Sequence, residues 1–386
     1  MKSENEMPRV ILLGSTGSVG EQAIDVARQT NMHVAALAAH QNWKRVEEQT
    51  RLLGVGAVAM TDEAAAKQLK TALADTDIRV FGGQAGLLDM IRSTDADFAL
   101  NAILGEAGLL PTLAALESGK HLALANKESL VVAGDIVMQT AKANKRRITP
   151  VDSEHCAVYQ ALRAGRHGEI KKLILTASGG PFFGKQRADL AHISVKETLA
   201  HPTWQMGAKI TVDSATLMNK GFEVIEAAHL FGVPADRIDV LVHRESMIHS
   251  MVEYIDNSVI AQMSVPDMRL CVQYALSAPR RNKAVIPPLD LAAVGKLTFA
   301  KPDEETFVLL PLARRALQRG GAATAVVNAA NEVAVAAFLS EKISLLRIFD
   351  IVTRVSDDMP HAEKAVTLPQ ILDMDKEARE RAAALL

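Results

Sequence analysis

Four consecutive apolar residues, Val10-Ile11-Leu12-Leu13, run straight into Gly14-Ser15-Thr16-Gly17-Ser18-Val19-Gly20. A segment with apolar side chains at Val19, Ala23, Ile24 and Ala27 follows. A strand, a glycine-rich turn and a helix in that order limit what this chain can become more than any other feature does. The glycines let the backbone approach a pyrophosphate, which then rests on the N–H groups of the helix start. The spacing is G-x-x-G-x-x-G rather than G-x-G-x-x-G, so its position behind a strand carries much of the weight. Alternation continues, with strands expected at 33–37, 57–60, 78–81, 98–102 and 121–124 and helices between them. That repetition predicts an α/β domain over residues 1–151, with a Rossmann-like, doubly wound parallel sheet.

The end of the second strand bears on the choice of nucleotide. NAD-binding chains place an acid there for the ribose diol. Here the tip reads Ala39-His40-Gln41-Asn42, and the first basic residues are Lys44 and Arg45. Without an acid nothing repels a 2′-phosphate, so NADPH is favoured over NADH.

At 386 residues the chain exceeds one ordinary core, so two or three domains are expected. A net charge of −2 gives no electrostatic case for nucleic acid or an anionic membrane as partner. Any anion site must then be a local cluster. No run of about twenty apolar residues occurs, and the start MKSENEMPRV lacks the apolar region of a signal peptide. The two cysteines, Cys156 and Cys271, form no framework. Cys156 stands beside His155, which invites a nucleophile reading, but isolated cysteines commonly serve as small buried hydrophobes. These features together read as a soluble, reduced, cytoplasmic chain.

Residues 201–226, HPTWQMGAKITVDSATLMNKGFEVIE, hold the densest polar chemistry. His201, Trp204 and Met206 lead to Gly207 and then to Ser214, Thr216, Asn219 and Lys220. From Leu217 the apolar positions are helical in period. Asn219 and Lys220 lie four and three residues before Glu223, so their side chains can share a face. Lysine with serine and asparagine donors near a helix start suits a phosphate. A carboxylate one turn on suits a cation or a sugar hydroxyl. The competing reading is a capped amphipathic helix with a surface ion pair, which leaves the His-Pro-x-Trp lead-in unexplained.

Other clusters could serve the same site. Asn126, Lys127 and Glu128 follow the strand expected at 121–124, where ligands lie in open sheets. Asp152 and Glu154 are two apart in Pro150-Val151-Asp152-Ser153-Glu154-His155, so in extended backbone both face one way. Paired carboxylates with a third, for which Glu223 is the best candidate, suit Mg²⁺ or Mn²⁺. A helix start over the same residues, with Asp152 or Ser153 as cap, is equally compatible. Ser178-Gly179-Gly180 can present N–H groups and a hydroxyl to an anion, or simply form a turn. Ser246 and His249 lie between strands expected at 240–242 and 258–265, where His249 reads as a packed polar residue as readily as a site residue. Residues 152–277 are expected to form an α+β catalytic domain and 278–303 a surface linker. Residues 304–386 read as a C-terminal helical bundle with helices near 306–319, 322–339, 345–355 and 368–386 and without convergent polar chemistry.

With these residues assembled, the chain resembles the 1-deoxy-D-xylulose 5-phosphate reductoisomerase family of the non-mevalonate isoprenoid pathway. The resemblance runs nearly end to end through GSTGSVG, LLPTLAALESGK, LANKESLV, PVDSEH, TASGGPF, all of 201–226, MIHSMVEY, VPDMR and NAANEVAVAAFL. It implies an NADPH- and metal-dependent homodimer acting on a phosphorylated ketose. Asp152, Glu154 and Glu223 would then be the ligands of Mg²⁺ or Mn²⁺, with Co²⁺ as a further choice. Ser178, Ser214, Asn219 and Lys220 would hold the phosphate, with Ser246 and His249 lining it. Lys127 and Ser153 would contact the substrate backbone, and His201, Trp204 and Met206 would lie on a closing loop. Thr16, Gly17, Ser18, Val19, Asn126, Glu128 and Gly207 would touch the nucleotide, along with Gly14 of the turn and the His40-Gln41-Asn42 tip. The chain departs from the family pattern at His40-Gln41, at Ala177 in place of a common Gly, and at Arg244-Glu245 in place of a more usual Pro-Gln. None of these is a metal or phosphate position of the family pattern.

Two other functions fit parts of the sequence. A plain NADP-dependent dehydrogenase of another phosphorylated hydroxy compound would share the first domain but would not need Glu223. A non-catalytic nucleotide-sensing protein would bind NADPH without turnover and tolerate Asp152→Asn.

Overall fold

The computed structural model describes residues 8–204 and 206–386. Residues 1–7, part of the stretch read as lacking a signal peptide, and Gln205 lie outside the described residues. The chain forms two compact units. The first comprises Met1–Asn126, Val137–Cys156 and Asp267–Pro287; the second comprises Lys127–Ile136, Ala157–Pro266 and Pro288–Leu386.

The first unit is built on strands β1 (Arg9–Leu13), β2 (His33–Ala39), β3 (Ala57–Met60), β4 (Arg79–Gly82), β5 (Phe98–Asn101), β6 (His121–Leu124) and β7 (Ile148–Pro150). They form one sheet in the order β4-β3-β2-β1-β5-β6-β7, and every pairing is parallel. The order reverses between β1 and β5, which pair from Val10↔Phe98 to Leu13↔Asn101. That reversal opens a crevice beyond the strand ends, the usual nucleotide position in doubly wound sheets. Val10, Ile11, Leu12 and Leu13 are all buried. Helices on both faces explain why β1 reads as an apolar run instead of alternating. The helix Met268–Ser277 belongs to the same core through Val272, Ala275 and Leu276.

The second unit holds a mixed sheet of β8 (Ile170–Ala177), β9 (Ile238–Val242), β10 (Ile248–Tyr254) and β11 (Val259–Met263) in the order β11-β10-β8-β9. Strand β8 pairs parallel with β9 and antiparallel with β10. Helices Ala208–Ala215 and Met218–Phe231 follow the first strand, and the chain ends in helices Leu309–Arg319, Ala323–Leu339, Leu345–Asp357 and Leu368–Ala383. The fold is therefore α/β with a doubly wound parallel sheet, an α+β region and a C-terminal helical region, as the sequence predicts.

Several elements escape the sequence reading, among them β7, β10, the helices at 208–215 and 268–277, and the short helix Leu291–Val294 inside the stretch read as a linker. Strand β10, IHSMVEY, does not alternate because His249 and Ser250 are buried along with their apolar neighbours. The helix Ala208–Ala215 is rich in hydroxyl and acidic residues, which favour caps over helix interiors. Among the described residues no helix is long and apolar enough to cross a membrane.

Candidate active site

In the first unit the turn after β1 has the form of a nucleotide cradle. Gly14 has φ +83°, and a Cβ there would lie 2.6 Å from Ala102 O at the end of β5. A Cβ on Gly20 would meet Gly14 O at 2.2 Å, so the helix Ser18–Thr30 packs directly on the turn. Gly17 is different: its Cβ would meet only Gly14 O, at 3.4 Å. As N-cap it offers no side chain to the first turn, whose N–H groups can therefore serve an anion. Thr16, Ser18 and Val19 are at least partly accessible at this rim.

The second-strand tip is more committed than its sequence implies. His40 is exposed and its Nδ1 lies 2.8 Å from Thr61 Oγ1. Asn42 caps the next helix by accepting from Arg45 N at 3.3 Å. Arg45 is bound to Glu21 and Glu48, each at 2.7 Å, and Lys44 lies over the Trp43 ring. The Glu21 bond, first among its partners, raises the Arg45 pKa further. Asn126 donates to Ile103 O at 2.7 Å and Gly105 O at 2.9 Å, so it shapes the loop after β5.

Asp152 and Glu154 open the helix Ser153–Ala161. Glu154 N donates to Asp152 Oδ1 at 3.2 Å, and Ser153 Oγ donates to Glu154 Oε2. The helix-start reading describes this backbone, and both carboxylates remain partly accessible. Cys156 and Cys271 are buried thiols. Their mutual hydrogen bond, then burial, pushes the Cys271 thiol well up, which makes it a poor nucleophile.

In the second unit the stretch 201–226 folds into a loop and two helices that break at Leu217. This residue has φ 58°, in the left-handed region that costs non-glycine residues energy and recurs at functional sites. The second helix is anchored by Phe222, Val224 and Ile225, all fully buried, at roughly 2 kcal/mol each. On that rigid base the expected Asn219–Lys220–Glu223 face forms. Glu223, 1% exposed, accepts from Asn219 Nδ2 at 2.6 Å, from Lys220 Nζ, and from Lys127 Nζ at 3.4 Å. Lys127 also donates to Asn219 Oδ1 at 2.8 Å, and Lys220 to Thr176 O at the end of β8.

Thr176 leads into the Ser178 turn. Gly180 has φ +64°, and its Cβ would lie 2.9 Å from Ser214 O, so this turn packs on the end of the Ala208–Ala215 helix. The Ser178 turn therefore follows directly on Thr176, whose carbonyl Lys220 holds, and lies against the Ser214 backbone. His201 Nδ1 accepts from Trp204 N at 2.9 Å and Thr203 N at 3.2 Å. A neutral ring then carries its proton on Nε2 and donates it to Ser178 Oγ at 2.9 Å. Burial, then the charge of Arg244, lowers the His201 pKa and favours that neutral form. Trp204 stands 6.2 Å from the His249 ring, and His249 Nε2 is 2.8 Å from Ser264 Oγ. Ser246 is buried in a turn with φ 51°. Met206 is partly exposed, and exposed Gly207 caps the helix after the loop.

A second cluster of buried charges, missed in the sequence reading, lies in the same unit. Lys209 Nζ lies 2.8 Å from Glu128 and 2.9 Å from Asp213, and Asn331 Nδ2 donates to Asp213 Oδ1 at 2.7 Å. Burial opposes the Lys209 charge, but Asp213 and Glu128 outweigh it and raise the pKa. On the same C-terminal helix Glu332 accepts from Asn328 at 3.1 Å and Arg379 at 2.8 Å. The reading of the tail as free of convergent polar chemistry is therefore corrected. The Lys209/Asp213 spacing of four was the available signal.

A doubly wound nucleotide-binding sheet with a lysine–carboxylate–serine cluster in a separate unit defines a class of two-substrate oxidoreductases. Comparison with known proteins narrows the class. Family models described as 1-deoxy-D-xylulose 5-phosphate reductoisomerase match residues 10–134, its C-terminal domain 148–231, and the DXP reductoisomerase C-terminal domain 263–381. The reductoisomerase of Caldanaerobacter subterraneus subsp. tengcongensis is 48% identical over 378 residues, covering 97% of this chain and 98% of its own. That of Thermoanaerobacter pseudethanolicus is 48% identical over 380 residues, covering 98% and 99%. A crystal structure of DOX-P reductoisomerase with NADPH, fosmidomycin and magnesium has a TM-score of 0.93 at 40% identity, covering 98% of each chain. The Zymomonas mobilis enzyme in complex with NADPH has a TM-score of 0.91 at 39% identity, covering 98% of this chain and 99% of its own. The chain belongs to the 1-deoxy-D-xylulose 5-phosphate reductoisomerase family.

Proposed function

We propose that this chain is an NADPH- and divalent-metal-dependent reductoisomerase. It converts 1-deoxy-D-xylulose 5-phosphate into 2-C-methyl-D-erythritol 4-phosphate for isoprenoid precursors. The observation that carries the reading is Glu223, buried and collecting donors from Lys127, Asn219 and Lys220, beside the Ser178–His201 pair.

Ser178, Ser214, Asn219 and Lys220 hold the phosphate, with Ser246 and His249 at its side. That remote group supplies binding energy to orient the reacting carbons. Asp152, Glu154 and Glu223 offer the oxygen donors that hard Mg²⁺, Mn²⁺ or Co²⁺ takes. When bound, the metal supplies Lewis-acid polarisation of the substrate carbonyl. Lys127 adds positive charge near the developing oxyanion, and Ser153 contacts the substrate backbone. His201, Trp204 and Met206 belong to the loop that excludes water from the reactive intermediate. Gly14, Thr16, Gly17, Ser18 and Val19 take the pyrophosphate, and His40 with Gln41 and Asn42 faces the 2′-phosphate end. Asn126, Glu128 and Gly207 support the nucleotide pocket.

Nucleotide binding falls mainly in 1–151 and substrate and metal binding mainly in 152–277, with Lys127 and Gly207 as the exceptions, followed by a linker at 278–303 and helices in 304–386. A homodimer in the cytoplasm completes the reading. Its interface is the β11 edge, where Val259 is 47% and Ile260 37% exposed. Such an edge pairs readily with a second copy.

The test is loss of NADPH absorbance with 1-deoxy-D-xylulose 5-phosphate, run with Mg²⁺, with chelator, and with NADH. Metal-dependent turnover that prefers NADPH is expected. A folded, NADPH-binding protein inactive with Mg²⁺, Mn²⁺ and Co²⁺ would overturn the reading.

A further inference from the structure

The turn His243–Ser246 joins β9 to β10 and is closed by Ser246 N donating to His243 O at 3.2 Å. Its two central side chains have different surroundings. Glu245 Oε1 accepts from Thr298 Oγ1 at 2.7 Å, and its Oε2 lies 3.0 Å from His243 Nδ1. His243 Nε2 in turn accepts from Met247 N and Ile248 N, both at 3.2 Å. The turn is thus clamped to the 298–300 segment, which bridges to Val242. A fixed turn gives its other central residue a fixed place.

That residue is Arg244. Its guanidinium carbon lies 5.0 Å from the Phe183 ring centroid, and its carbonyl accepts from Thr203 Oγ1 at 3.5 Å. Phe183 packs on the Ser178 turn, because a Cβ on Gly179 would meet its Cδ2 at 3.1 Å. Thr203 belongs to the loop that holds His201, whose Nε2 bonds Ser178. Arg244 therefore touches both segments that flank the Ser178 hydroxyl. The side chain is exposed, and it forms no ion pair among the described residues. A planar guanidinium held by stacking, with its donors unspent on carboxylates, is suited to a phosphate oxygen.

We propose that Arg244 is a phosphate-binding residue that sets the preference for phosphorylated over unphosphorylated substrate. This rests on the reading of Ser178 as part of the phosphate subsite. Ser178 accepts from His201 and from Gly180 N, which leaves its own proton for an oxygen of the same group. Arg244 adds long-range attraction that the buried lysines cannot supply at the surface, so its contribution weakens with salt.

The test compares wild type, Arg244→Met and Arg244→Lys in steady-state kinetics, inhibition by inorganic phosphate, and direct phosphate binding by calorimetry. Arg244→Met should raise KM and the phosphate inhibition constant by about five- to tenfold, with kcat within about twofold. Its kcat/KM should lose salt dependence, and Arg244→Lys should recover most of the loss. Unchanged KM, phosphate affinity and salt slope in Arg244→Met would overturn the proposal. So would an equal fall of kcat in both variants with phosphate affinity intact, because Arg244 would then only brace Phe183. Should wild type not turn over the substrate, the functional reading fails. Arg244 is then decided by calorimetry alone: weaker phosphate binding in Arg244→Met upholds it and equal binding overturns it.

Discussion

The second unit contains two buried lysine–carboxylate clusters of opposite design. At one, a carboxylate, Glu223, is surrounded by donors from Lys127, Asn219 and Lys220. At the other, a lysine, Lys209, is surrounded by Glu128 and Asp213, and Asp213 is tied on to Asn331. The Lys209 cluster joins regular helices to one another. The Glu223 cluster sits within two helical turns of a left-handed Leu217 and near a hydroxyl turn and a histidine loop. Burial of charge alone therefore does not mark function. What separates the two is the strained backbone at Leu217 and the hydroxyl turn and histidine loop gathered near Glu223.

Four experiments sharpen or break that contrast. Glu223→Gln keeps the shape but removes the charge a metal needs. Its kcat should fall about a thousandfold, the several kcal/mol that Lewis-acid stabilisation supplies. Lys209→Met should act on folding instead, lowering unfolding free energy by about 3 kcal/mol because two buried carboxylates lose their cation. The urea midpoint reports this, and kcat per folded molecule should stay within about threefold. Asn331→Ala should cost about 1–2 kcal/mol, measured the same way, by leaving Asp213 short of one donor. A kcat loss in either variant that exceeds its stability loss would erase the distinction.

The smallest effect is a pH dependence from His201. Burial, then Arg244, lowers its pKa from an ordinary 6.5. A histidine so lowered stabilises the fold above 6.5, and that contribution is lost as pH falls through the folded value. Protonation also removes the Nδ1 acceptor that holds Thr203 and Trp204. The acid limb of kcat/KM should therefore lie below pH 6.5 and weaken in His201→Asn.

How much of this was legible follows from chain geometry. The nucleotide unit was readable because one strand, three glycines and one helix are contiguous in sequence. The Asn219–Lys220–Glu223 face was readable because helical spacing alone sets it. Asn331 against Asp213 was not, since 118 residues separate them and each looks ordinary in its own helix. Arg45 follows the second-strand tip in sequence, but its charge is paired with Glu21, 24 residues away, which no local pattern shows. Local period predicts faces; only tertiary packing tells which charges are already spent.

The most direct test of the contrast is Mn²⁺ binding by calorimetry, with NADPH present, in wild type, Glu223→Gln and Lys209→Met. Wild type and folded Lys209→Met should bind alike, with Glu223→Gln at least about tenfold weaker. Equal binding by Glu223→Gln, or loss of binding by folded Lys209→Met, would contradict the division of labour between the two clusters.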